Sequence, residues 1–269
     1  MFYTSKDKFK IYYRFLNNNS KKSVLVFLHG WLGNWTSFKK EIDHFKKKYS
    51  ILYLDFRGHG LSDKPKKLEN YNIKKLREDL EGIIKKENIS KVTLIGFSMG
   101  GMVSLLFTVK NPELVDKLVL INTTHKNPFF SSKNTYIKNH KNFFKILCDF
   151  IVKNSKIKKE HYSHVDFDIS KLKDTNSLNI TFNSLLNIPL YSAVATFEGM
   201  FNYKVKGISK IESPTLIIST TKDPLFSEKV EEKLAMNIKT SKHIVKEGTH
   251  HLIIQKPNEV IKEIEKFIK

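Results

Sequence analysis

The segment Gly96-Phe97-Ser98-Met99-Gly100 follows an apolar run, Val92-Thr93-Leu94-Ile95, and leads into an alternating apolar stretch. A serine with a glycine two positions away on either side, a strand before it and a helix after it, predicts a sharp strand-to-helix turn that presents the hydroxyl. Both glycines are needed because a turn this tight leaves no room for a side chain at either position. Gly101 extends the clearance. Five residues alone would also fit a Gly-Ser loop, so the pattern gains meaning only if the flanking strand and helix exist and partners for the serine follow.

The flanking pattern recurs along the chain. Strand-length apolar runs lie at Val24–Leu28, Ile51–Leu54, Val92–Ile95, Leu118–Ile121, Thr215–Ser219 and His243–Val245. Their continuous apolar character suits strands buried on both faces, as in a parallel sheet. Helical patterns alternate with them at Trp35–Lys48, Ile73–Lys86, Met99–Lys110, Glu228–Met236 and Asn258–Ile268, which predicts an α/β protein with a mostly parallel, doubly wound sheet. The aromatic-rich Phe9–Phe15, ending in Asn17-Asn18-Asn19, reads as an edge strand followed by a turn. More than ninety residues separate Ile121 from Thr215, whereas a crossover between parallel strands needs only about 30. The surplus, 125–205, is expected to form a helical cap over the sheet, with 1–124 and 206–269 as the core. Apolar clusters at Phe143–Ile151, Leu185–Ile188 and Tyr191–Phe201 carry that expectation. Insertions at a strand's carboxyl end lie over the ligand crevice, which favours a lid over a decorative insertion.

The composition narrows the partners. The formal charge is +20, but Arg14, Arg57 and Arg77 are the only arginines, so 44 of the 47 basic residues are lysine. Lysine lacks the planar fork that reads guanine and phosphate, and these lysines are spread along the chain, so nucleic acid is not an expected partner. A single cysteine, Cys148, excludes an internal disulfide or a cysteine metal cluster. Met1–Lys8 has no apolar run of signal-peptide length, and no stretch approaches the ~18 apolar residues of a membrane span. Neither secretion nor stable membrane insertion is expected, and the expected location is the cytoplasm. The oligomeric state is left open.

A serine hydroxyl is a weak nucleophile at neutral pH and needs a base, and a third group to hold that base in one tautomer. Asp223 lies four residues beyond the strand Thr215–Ser219, and His250 follows the strand ending at Val245. The chain order Ser, Asp, His is that of one known arrangement of this constellation. Three further segments accompany it: Phe27-Leu28-His29-Gly30-Trp31, Asp55-Phe56-Arg57-Gly58-His59-Gly60-Leu61-Ser62 and Ile211–Ile218.

With these motifs in order, the chain resembles the α/β-hydrolase family of esterases, thioesterases, carbon–carbon bond hydrolases and related lyases. The resemblance covers nearly everything outside the cap and implies the hydrolase sheet with a helical cap inserted after the sixth strand. It implies Ser98 as nucleophile, His250 as general base and then acid, and Asp223 as the group that orients the imidazole. The backbone N–H groups of Trp31 and Met99 would form the oxyanion hole, leaving both side chains to shape the pocket. The family's histidine stands seven residues before a proline, and Pro257 selects His250 over the adjacent His251. His251, with Trp31 and Phe97, is then a pocket-wall candidate, and His29 and His59 are loop residues. Thr220 and Thr249 stand where the family usually has glycine, which puts the local turn geometry in question. His161, His164, Asp166 and Asp168 form a grouping that could bind metal but match no known ligand spacing, so solvated surface is the expected reading and no metal is assigned.

Epoxide and haloalkane hydrolysis in this fold use an aspartate at the elbow, since a serine would yield an inert ether. The expectation is therefore attack on an acyl carbon, with no metal or organic cofactor, on a small molecule carrying an apolar acyl or aryl group. An ester or thioester is favoured. A carbon–carbon hydrolase or lyase on the same residues, and a non-catalytic receptor on the same fold, are the alternatives.

Overall fold

The computed structural model describes residues 1–18, 22–127, 146, 150, 167–201 and 203–269. Eight strands form one sheet: β1 (Phe2–Thr4), β2 (Lys10–Leu16), β3 (Val24–Leu28), β4 (Ile51–Leu54), β5 (Val92–Phe97), β6 (Val115–Ile121), β7 (Thr215–Thr220) and β8 (Ser241–Lys246), in the order β1-β2-β4-β3-β5-β6-β7-β8. Pairing is antiparallel at β2 and parallel from β4 to β8. The segment expected as an edge strand is therefore second from the edge. The three-residue β1 covers it, too short to announce itself by periodicity.

Alternate residues of the central strands feed two cores, as a period of two requires. Val26, Leu28, Leu118 and Leu120 pack with α2 (Ile73–Lys86) and α3 (Met99–Lys110) on one face. Leu25, Phe27, Val119 and Ile121 pack on the other, with α1 (Lys39–Phe45) and the C-terminal helix Pro257–Ile268. β5 and β7 are buried at every residue, whereas β8, the opposite edge, has only half-buried and exposed positions. The helix expected from Trp35 begins as a 3-10 turn, Trp35–Phe38, because the Asn34 side chain accepts the Thr36 N–H and caps it early.

The chain leaves β6 and re-enters before β7 through a neck at which Lys126 bridges Lys204 and the Val205 N–H donates to the His125 carbonyl at 3.1 Å. Beyond the neck, α4 (Ser177–Leu186) and α5 (Leu190–Gly199) lie against the loops at the sheet's carboxyl edge. Trp31 Nε1 donates to the Ala193 carbonyl at 3.0 Å, and Tyr71 Oη pairs with Ser192 Oγ at 3.0 Å. The clusters at Leu185–Ile188 and Tyr191–Phe201 fall here. Ile188, Tyr191, Met200 and Phe201 are buried, while Leu185 and Leu186 face solvent. Most of the cluster at Phe143–Ile151 lies outside the described residues; Ile146 and Phe150 are exposed. Among the described residues no helix is long and apolar enough to cross a membrane.

The loop after β4 is held by charge. Arg57, 1% exposed, donates from Nε and Nη2 to Asp79 at 2.7 and 2.6 Å and from Nη1 to Asp7 at 2.8 Å. Removing one partner of a buried pair leaves the other unsatisfied, so Arg57→Leu is expected to cost about 3–5 kcal/mol in urea denaturation, and the double variant with Asp79→Leu to recover most of it.

Candidate active site

Ser98 sits between β5 and α3 at φ 51° and ψ −116°, a left-handed conformation that only a tight turn imposes on a serine. A Cβ on Gly100 would lie 2.0 Å from the Leu28 carbonyl oxygen, and one on Gly96 would lie 2.6 Å from that of Gly100, so neither position accepts a side chain. This close approach sets the elbow directly against the end of β3.

His250 Nε2 lies 3.0 Å from Ser98 Oγ, and its Nδ1 lies 2.7 Å from Asp223 Oδ2. The three side chains come from the loops after β5, β7 and β8. The Asp223 side chain is fully buried, and its Oδ1 accepts the N–H groups of Leu225 and Phe226 at 2.7 and 3.0 Å. With three donors converging on this carboxylate, His250 donates from Nδ1 and presents Nε2 as the acceptor for the serine hydroxyl. The imidazole is wedged between Phe97 and Phe226, with ring centroids 5.0 and 5.4 Å away.

Met99 opens α3, so its N–H is among the first-turn donors that have no partner within the helix. Trp31 follows Gly30 on the loop after β3, where Gly33 N–H closes a turn onto the Gly30 carbonyl at 3.1 Å. The Met99 side chain is fully buried in the core and does not line the cavity, which corrects the expectation that it shapes the pocket. It points away because the first turn of α3 packs against the sheet.

A cavity of about 240 Å³ opens above Ser98 and His250. Trp31, Phe97 and His251 stand on its wall beside Leu32, Ile169, Ile180 and Ile254, and no Asp, Glu, Lys, Arg or Tyr side chain lines it among the described residues. His251 does not reach Ser98; burial first, and His250 beside it, push its pKa down to about 4. His29 donates from Nδ1 to the Gly30 carbonyl at 2.8 Å and accepts the Phe56 N–H on Nε2 at 3.0 Å, a loop-bracing role. His59 Nδ1 meets the Arg57 carbonyl at 3.1 Å, and burial pushes its pKa down to about 4. His161, His164 and Asp166 lie outside the described residues; Asp168 caps a short 3-10 turn by accepting the Ser170 N–H. Among the described residues no group of three His, Cys, Asp or Glu side chains could hold a metal ion.

Neither threonine that replaces a family glycine has positive φ. Both hydroxyls are used instead. Thr220 Oγ1 accepts from Asn122 Nδ2 at 3.1 Å, and Thr249 Oγ1 pairs with Ser177 Oγ of α4 at 2.6 Å. Asn122 itself was missed by the sequence reading. Fully buried just past β6, its Nδ2 also reaches the carbonyls of His250 at 3.0 Å and Thr249 at 3.3 Å, tying the histidine loop after β8 to the end of β6, two strands away. A polar residue directly after the apolar run ending at Ile121 was the available signal.

Residues 23–257 match the family model described as the alpha/beta hydrolase fold. The chain belongs to the α/β-hydrolase family. Among relatives of this family, a putative esterase/lipase of Haemophilus influenzae is 29% identical over 259 residues, covering 91% of this chain and 83% of that protein. Epoxide hydrolase 1 of Caenorhabditis elegans is 27% identical over 271 residues, covering 92% of this chain but only 65% of the relative's length. The esterase of Exiguobacterium antarcticum shares the fold with a TM-score of 0.76 at 21% identity, over 100% of this chain and 98% of that one.

Asn122 offers a direct test of how this hydrolase-fold site is held. Asn122→Ala strands buried acceptors and places alanine at φ 43°. The expected loss is about 2–4 kcal/mol, measured as a lowered urea midpoint at unchanged slope.

Proposed function

We propose that this chain is a serine hydrolase that cleaves carboxylic esters or thioesters of uncharged, apolar acyl or aryl groups. The observation that carries the reading is the unbroken hydrogen-bond line from Ser98 Oγ through His250 to a buried Asp223 at the floor of an apolar cavity. Ser98 Oγ attacks the acyl carbon as His250 Nε2 takes its proton, and the carbonyl oxygen becomes an oxyanion facing the N–H groups of Met99 and Trp31. The tetrahedral intermediate collapses, the carbon–oxygen or carbon–sulfur bond breaks, and His250 returns the proton to the departing alcohol or thiol. Water, activated by the same imidazole, then attacks the acyl-serine and releases the acid. Asp223 stabilises the imidazolium in both half-reactions.

Epoxide-opening relatives do not change this choice. Attack of a serine on an epoxide would leave an ether with no carbonyl for water to reach, and no phenol or carboxyl group on the described cavity wall could protonate the epoxide oxygen. A carbon–carbon hydrolase or lyase acting on a carboxylate-bearing substrate would call for a cationic side chain in the pocket, and the described wall carries none. A receptor would not need the base and acid to be aligned on the serine.

Fluorophosphonate should label the native chain and not Ser98→Ala; absence of labelling in folded native protein would sink the enzyme reading. Asp223→Asn should lower kcat about 10,000-fold, since it favours the wrong imidazole tautomer. Across p-nitrophenyl esters, kcat/KM should rise about fourfold per added methylene until the cavity is filled, the gain from burying about 0.8 kcal/mol per CH2. A flat series, or preferred cleavage of a diketone, would overturn the apolar-ester assignment.

A further inference from the structure

A carboxyl group that plays no part in the proton relay lies behind it. Glu231, on the helix Glu228–Asn237, is fully buried, and its Oε1 accepts the Thr123 N–H at 3.0 Å. Thr123 Oγ1 in turn donates to the Ser98 carbonyl at 2.7 Å, while the Ser98 N–H donates to the Ile121 carbonyl at 2.9 Å. The end of β6 and the segment just past it therefore grip the elbow at both ends of the serine. One residue earlier, Asn122 grips the carbonyl of His250. Two consecutive residues thus fix the backbones of the hydroxyl and the imidazole relative to each other, and Glu231 holds that segment from behind.

We infer that Glu231 is a positioning residue for Ser98, setting the separation of Oγ from His250 by anchoring Thr123. The inference rests on Ser98 being the nucleophile. Burial, and secondarily the charge of Asp223, raise the pKa of Glu231 well above the usual carboxylate range. Glutamine has the same shape and the same acceptor; leucine fills the volume without it.

Fluorophosphonate titration counts competent serines, and ester turnover is then expressed per titrated site. Misplacing the nucleophile relative to its base should lower kcat per site about 10- to 100-fold in E231L with KM within about twofold, and E231Q should restore turnover to within about threefold of native. If E231L does not fold, T123V reads the same link, since it deletes only the hydroxyl that holds the Ser98 carbonyl; its kcat per site should fall about tenfold at unchanged KM. Native turnover per site in E231L or T123V overturns the inference, as does an E231Q as impaired as E231L. Failure of the native chain to label is a different result, and it overturns the hydrolase reading together with this one.

Discussion

The turn at Ser98 is the constraint on which the site depends. A left-handed serine can persist only where its surroundings over-determine it. Here the contacts that do so also gather the neighbouring loops. The absence of a side chain at Gly100 lets α3 close onto the Leu28 carbonyl, bringing the loop that carries Trp31 beside the serine. The Ser98 N–H, bonded to Ile121, fixes the elbow to the end of β6. A parallel sheet places every strand's carboxyl end on one edge, so these local contacts suffice to assemble groups separated by 152 residues in sequence, as Ser98 and His250 are.

Burying Asp223 would be costly without compensation, and three short hydrogen bonds provide it. Two of the donors are backbone amides of its own turn, so the carboxylate is oriented before the imidazole arrives. The aromatic rings of Phe97 and Phe226 then restrict His250 to one orientation. Glu231 lies behind this charge, and burial, with Asp223 as a second cause, raises its pKa well above the usual carboxylate range while its Oε1 holds the Thr123 N–H.

Much of this was legible in the sequence, and the reasons for the exceptions are physical. Runs buried on both faces, such as Ile51–Leu54 and Thr215–Ser219, mark their strands because no solvent-facing residue interrupts them. β8 is an edge strand with Lys242 and Lys246 flanking its short run His243–Val245, so only its middle stands out, and β1 is too short for any period. Ser98, Asp223 and His250 could be picked out because each follows a strand and carries reactive chemistry. Asn122 offered only its place directly after an apolar run, and Thr123 and Glu231 offered nothing: their roles arise from a contact between residues 108 apart, and their chemistry is that of ordinary polar residues. The cluster expected near Phe143–Ile151 falls largely outside the described residues.

The two threonines show how a departure from a family pattern can change meaning once the backbone is known. Glycine at those positions would be obligatory only for a left-handed turn, and neither threonine adopts one. Thr249 instead joins the histidine loop to α4 through Ser177, and six residues on, Gln255 donates to the Thr175 carbonyl at 2.8 Å. Ser177 also lines the cavity. The segment that carries His250 is thereby bonded to the segment that walls the pocket, so displacing α4 would strain the loop holding His250. The lysines that dominate the chain's charge take no part in this contact or in the described cavity wall. The described wall of that cavity therefore carries none of the lysines behind the formal charge of +20.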